Sequence, residues 1–211
     1  RCLTGIMPVM IGQGTALDWS LTPLEALERW PGDRRVLFLH SGRLHRQWAR
    51  WSILGEPVAT YRFLVTSAGG RSVWSSRSIP APDLEDEPFA DLRSLRSVGD
   101  GIWIGYLSYD LGRWVERLPN LAVDDRHWPI IEFGYCPGYL VYDGLEQCWY
   151  RCGAWRDGNG PALDSRFTQQ TAFTASNLRS TFTRSQYERA VIKVKEYIAG
   201  GDVFQVNLAQ R

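Results

Sequence analysis

The run from residue 183 to residue 211 constrains this chain more than any other, because it specifies a helix, its stop and a strand in sequence. Thr183-Arg184-Ser185-Gln186 has the form of a capping box: the threonine oxygen takes an orphan amide while the glutamine reaches back to the cap. Tyr187, Val191, Val194 and Ile198 recur at helical spacing, with Glu188, Arg189, Lys193, Lys195 and Glu196 largely on the other faces. Gly200-Gly201 supplies a residue able to take the left-handed conformation that stops a helix. Phe204, Val206 and Leu208 then alternate with Gln205, Asn207 and Ala209, the pattern of a half-buried strand. That strand has no partner after it, so the expectation is that residues 1–211 are the front part of a longer polypeptide.

Upstream the signals are mainly those of strands. Thr22-Pro23-Leu24-Glu25 is a second capping box, with proline at the first helical position and Pro31-Gly32 beyond the end. Residues 35–40 read as a mostly buried strand, and 51–54, 58–65 and 71–77 as further strands, the first two split by Gly55-Glu56-Pro57. An acidic, proline-bearing loop over 80–88 leads to a helix over 89–98. A strand is expected over 102–109 and a helical turn over 113–118. Residues 130–142 and 147–155 read as two strands joined by Asp143-Gly144. Residues 156–177 carry Gly158-Asn159-Gly160-Pro161 and then Gln, Thr and Ser with little apolar pattern, and read as a linker. The domains expected are 1–177, including that linker, and 178–211, the start of a second domain. The fold class is mixed α/β (α+β): layered antiparallel sheets forming a β-sandwich, with helices outside.

Charge and hydropathy exclude some classes. Lys plus Arg number 24 against 23 Asp plus Glu, so no basic excess points to nucleic acid or an anionic membrane surface. No apolar run approaches the roughly 18 residues that span a bilayer, and the first ten residues, broken by Gly5 and Pro8, make a poor signal peptide. Cys148-x3-Cys152 lacks the second pair that a closed zinc site needs, so Cys2, Cys136, Cys148 and Cys152 are read as ordinary thiols in a reduced, cytoplasmic setting. Gly-x-Ser-x-Gly and phosphate-loop patterns are absent, and His40, His45 and His127 are too scattered for a triad.

Three motifs occur in order: Arg50-Trp51-Ser52-Ile53-Leu54-Gly55-Glu56-Pro57; Gly105-Tyr106-Leu107-Ser108-Tyr109-Asp110-Leu111-Gly112-Arg113 with Glu116 and Leu118-Pro119; and Tyr197-Ile198-Ala199-Gly200-Gly201-Asp202-Val203-Phe204-Gln205-Val206-Asn207-Leu208-Ala209-Gln210-Arg211. Together they resemble the chorismate-utilising enzymes, a family that includes component I of anthranilate synthase and of aminodeoxychorismate synthase. The Asp110-Leu111-Gly112-Arg113 form and Asn207 look more like the aminodeoxychorismate branch. The resemblance implies a four-layer fold and amination of chorismate with ammonia from a glutamine amidotransferase subunit. It also implies Mg2+ on the substrate. The family's lysine nucleophile, acid/base glutamate and metal ligands are expected after Arg211, so no catalytic residue is assigned here.

The resemblance also implies a tryptophan-binding pocket in some members. By it Ser41, at the end of a strand, matches the pocket serine, and Trp48, Ala49, Arg50 and Trp51 match a second wall. The usual pattern carries Tyr at the position of Trp48 and Ser at that of Ala49, so two hydroxyls are missing here. Trp48 and Trp51 suit core packing as well as a pocket wall, in a chain with ten tryptophans. For Asp110 and Arg113 a clamp across a turn is favoured over catalysis. Gln205 and Asn207, paired on one face, suit either strand contacts or a ligand.

Overall fold

A computed structural model describes residues 14–119, 123–163, 174–176 and 179–209. The N-terminal decapeptide with Cys2 and much of the expected linker over 156–177 lie outside them. The chain divides into two compact units, Arg1–Thr168 and Gln169–Arg211.

In the first unit, nine described strands form two antiparallel sheets. Strands β1 (Thr15–Leu17), β2 (Leu37–Leu39), β3 (Trp51–Gly55), β8 (Gly138–Asp143) and β9 (Cys148–Gly153) make one, ordered β1-β9-β8-β3-β2. Strands β4 (Ala59–Thr66), β5 (Gly69–Ser76), β6 (Ile102–Leu107) and β7 (Ile131–Cys136) make the other, ordered β5-β4-β7-β6. Side-chain alternation along each strand then builds three apolar layers. Ile53, Tyr139, Val141 and Cys152 of the first sheet meet Ile104 and Cys136 of the second, filling the space between the sheets. Leu54, Leu140 and Trp149 face outward and are covered by helix α1 (Pro23–Glu28) and by Trp155. Tyr61, Phe63 and Ile131 face outward from the second sheet, beneath Phe89, Leu92 and Leu95 of helix α2 (Pro88–Ser94) and the turn after it. The order helix, sheet, sheet, helix is the mixed α/β sandwich with outer helices that the strand pattern anticipates.

The sheets lie close together where glycine allows it. A Cβ on Gly55 would come 2.7 Å from Cys136 Sγ, and one on Gly134 would come 2.4 Å from Leu37 Cδ1 across the gap. Gly105 is tighter still: its Cβ would be 1.9 Å from the Glu132 carbonyl oxygen on the neighbouring strand.

Two strand pairs switch sheets side by side. β3 passes into β4 through Glu56-Pro57-Val58, and β7 passes into β8 through Pro137. Proline has no amide to give a ladder, so it falls where one sheet's pairing ends and the next begins. The switch is tied by Glu56 N–H to the Gly138 carbonyl (3.3 Å) and Val58 N–H to the Tyr135 carbonyl (2.9 Å). The single strand expected over 130–142 is therefore corrected: it is two strands in different sheets.

Three further expectations change. The strand over 35–40 is only three residues long, a sheet edge with Leu39 47% exposed, because it has one neighbour and little cover. The β8–β9 connection spans four residues, with Gln147 in the left-handed region (φ 52°). In the second unit, helix α3 (Arg184–Ala199) has the expected capping box, and Gly201 (φ 78°) supplies the left-handed residue after it. Residues 203–209, however, form no strand, and Phe204 is 94% exposed. Alternation marks which side chains share a face, but a strand exists only through partner hydrogen bonds, and no described strand pairs with this one.

Candidate ligand-binding site

Ser41, Trp48, Ala49, Arg50 and Trp51 all lie at one end of the first sheet, on the approach to β3. The segment begins with a tight turn, in which His45 and Ala49 exchange backbone hydrogen bonds of 2.9 and 3.0 Å. The His45 Nδ1 accepts from the amides of Gln47 (3.2 Å) and Trp48 (3.3 Å). Trp48 rides on this turn and is 84% exposed. Ala49 is committed to the turn by its backbone.

Beyond the turn the side chains converge. Arg50 sets its guanidinium fork on Asp143, Nε to Oδ1 at 2.8 Å and Nη2 to Oδ2 at 2.5 Å. The Asp143 side chain is 2% exposed and also accepts from the Leu145 amide at 3.0 Å, so one carboxylate holds both the strand entry and the β8–β9 hairpin. The bond to Asp143 raises the Arg50 pKa further above its already high value. The same guanidinium lies 4.5 Å from the centroid of the Trp51 ring, a cation–π arrangement. Trp51 in turn packs against the layer between the sheets.

Ser41 joins this group through its neighbour strand. Its hydroxyl donates to the Trp51 carbonyl (2.6 Å), and its amide donates to Ser52 Oγ (3.1 Å). His40 Nδ1 lies 3.2 Å from the same Ser52 oxygen, and its ring stacks on Phe38. His40 and Ser52 have the distance of a base and a nucleophile, but Ser52 is 2% exposed and already accepts a backbone amide. Its part is to hold two strands together.

The structure thus brings Ser41, Arg50 and Trp51 together and leaves Trp48 and Ala49 on a projecting turn. Sequence reasoning missed Asp143, Ser52 and His40. Asp143 stands 93 residues from Arg50, and no spacing rule links the two.

The other motif follows its structural reading. Residues Tyr109–Trp114 form a 3-10 turn capped by the Ser108 hydroxyl on the Asp110 amide (3.1 Å). Asp110 and Arg113 pair across it at 3.0 Å, while Leu111 is buried beneath α2's layer. Among the described residues no three His, Cys, Asp or Glu side chains cluster to hold a metal ion. Cys152 lies in the layer between the sheets, and burial pushes its thiol up to about 11. No helix among the described residues is long and apolar enough to cross a membrane.

Comparison with known proteins adds the following. A family model described as chorismate binding enzyme matches residues 53–211. The chain is 27% identical to anthranilate synthase component 1 of Acetivibrio thermocellus, over 90% of this chain and 45% of that protein. It is 31% identical to aminodeoxychorismate synthase component 1 of Escherichia coli, over 83% of this chain and 41% of that one. With the aminodeoxychorismate synthase component 1 of Bacillus subtilis it shares 34% identity, over 51% of this chain and 26% of the relative. The chain therefore spans less than half the length of these relatives. A solved structure of anthranilate synthase component I from Streptococcus pneumoniae matches 88% of this chain and 36% of that one, with a TM-score of 0.33 and 17% identity.

Proposed function

The chain belongs to the chorismate binding enzyme family, and from that premise we propose that it is the N-terminal part of an aminodeoxychorismate synthase component I. The reaction in this reading replaces the C4 hydroxyl of chorismate with an amino group, yielding 4-amino-4-deoxychorismate. A glutamine amidotransferase subunit supplies the ammonia, and the setting is cytoplasmic. The reacting groups and the Mg2+ belong to the length of the relatives that this chain does not span. A substrate with two carboxylates needs cationic neutralisation in a closed site.

The observation that carries the choice of branch is the motif Tyr109-Asp110-Leu111-Gly112-Arg113 together with Asn207, inside the matched region. A second reading, component I of anthranilate synthase, draws on the relative from Acetivibrio thermocellus, which aligns with 90% of this chain. A non-catalytic, tryptophan-binding regulatory module is the reading from another class.

Incubating the full-length protein with chorismate, Mg2+ and ammonia, and identifying the product by chromatography and mass spectrometry, separates these. We expect 4-amino-4-deoxychorismate. Anthranilate would replace the first reading by the second, and no turnover of chorismate would leave the regulatory one. Calorimetric titration addresses L-tryptophan at Ser41, Trp48, Ala49, Arg50 and Trp51. Absence of heat at millimolar ligand would remove that part of the proposal.

A further inference from the structure

Where the two strand pairs change sheets, the fold opens a cleft of about 360 Å3. Its walls are mainly apolar, formed by Val58, Ile79, Pro137 and Trp155, and its polar side chains are Glu56, Ser78 and Arg156. The cleft arises from the switch itself. Neither sheet's ladder continues through Pro57 and Pro137, and the cleft opens beside them. Gly138 has no side chain, which lets the Trp155 ring lie flat on the backbone; a Cβ there would come 2.6 Å from the indole.

The ionic groups at this cleft are unevenly matched. The Glu56 side chain is 10% exposed, and that of Arg34, 8% exposed, holds both of its oxygens in a bidentate fork. Arg34 also bonds Asp157 at 2.8 Å. The buried carboxylate is therefore already neutralised. Arg156 adds only one bond, of 3.3 Å, to Glu56, and stands 3.8 Å from Asp157, beyond hydrogen-bond distance. Its side chain is 64% exposed, so it marks the solvent side of the cleft. A guanidinium has five N–H donors, and most of those of Arg156 have no acceptor among the described residues.

We propose that this cleft is a binding site for a small amphipathic carboxylate, with its apolar body against Val58, Ile79, Pro137 and Trp155 and its carboxylate on Arg156. The volume falls near the lower end of the range for small-molecule pockets. The ligand class follows from two matches. The walls reward a compact ring or branched chain with no polar atoms, and the planar fork of Arg156 fits a carboxylate in a two-bond geometry. Inorganic phosphate satisfies only the second. The site is separate from the Ser41–Trp51 group and does not depend on which reaction the protein performs.

The test uses the full-length protein and two fluorine-labelled probes, 3-fluorophenylacetate and its neutral amide, followed by 19F NMR. Saturable binding of the acid is expected, with the amide at least tenfold weaker and inorganic phosphate failing to displace the acid at equal concentration. Arg156→Met should weaken the acid at least tenfold, and Arg156→Lys less. Ala154→Phe, at an exposed lining residue, should occlude the cleft without unfolding the protein, which a melting curve checks. Equal binding of acid and amide, unchanged binding in Arg156→Met or Ala154→Phe, or no saturable binding at millimolar acid would each overturn the proposal.

Discussion

Replacing Asp143 by alanine tests the account of how β3 and the β8–β9 hairpin are held. The carboxylate is 2% exposed and accepts two bonds from the Arg50 fork and one each from the Leu145 and Glu146 amides. Alanine leaves the guanidinium with no counter-charge and the hairpin amides with no acceptor. Removing one member of a buried pair costs about 3–5 kcal/mol. Arg50 is 20% exposed, so water recovers part of its loss and the lower end, about 3 kcal/mol, applies. With a urea slope of about 2–3 kcal/mol/M, the unfolding midpoint should fall by roughly 1–1.5 M. Asp143→Asn retains an acceptor for the hairpin amides and for one guanidinium N–H, and should lose about half as much. The double variant Arg50→Met/Asp143→Leu removes both charges together and should be more stable than Asp143→Ala. Urea denaturation followed by circular dichroism reads all three. A loss below about 1 kcal/mol for Asp143→Ala would show that solvent already screens the pair, and the argument would fail. The result also governs how tryptophan titrations are read, since an Arg50 variant that loses the ligand has lost a strand clamp too.

Gly105→Ala should force β6 and β7 apart, because its methyl group would meet the Glu132 carbonyl at 1.9 Å and neither backbone can give way. A cost of at least about 3 kcal/mol is expected, the upper part of the range for overpacking. It should appear as lost hydrogen-exchange protection over residues 104–107, and undiminished protection would contradict the strand register. Alkaline pH should destabilise the protein through its thiols. Burial pushes Cys136 up to about 12 and Cys152 to about 11, while both sit near 9.0 when unfolded. Their contribution is whole below the unfolded value and is lost as pH rises from there to the folded ones, the interval in which the unfolded chain releases its protons and the folded chain keeps them. Burial and the bond to Asp91 raise the Tyr61 pKa in the same sense. The urea midpoint should therefore drop between about pH 9 and 11, and iodoacetamide should reach Cys136 and Cys152 only after unfolding. A flat midpoint, or equal alkylation of the folded protein, would refute this.

Local chemistry was legible in the sequence wherever a few adjacent residues settle it. Thr22 and Thr183 announce helix starts, and the structure shows both capping boxes closed. The strands over 51–54 and 58–65, and the one begun at 102 that ends at Leu107, were legible from runs of β-branched and aromatic residues bounded by turn signals. Three motifs in order carried the family. What the chain's order hides is which distant groups meet. Pro137 looks like a residue inside one long strand until two sheets compete for its flanks, and residues 203–209 alternate as a strand with no strand beside them among the described residues. That Arg50 sets its fork on Asp143, 93 residues away, is likewise hidden in the chain's order. The cleft at the sheet switch belongs wholly to the second kind: its walls come from Val58, Ile79, Pro137 and Trp155, brought together because two ladders end side by side. Hydrogen-bond partners and enclosed space are properties of the folded pair, and no run of residues carries them alone.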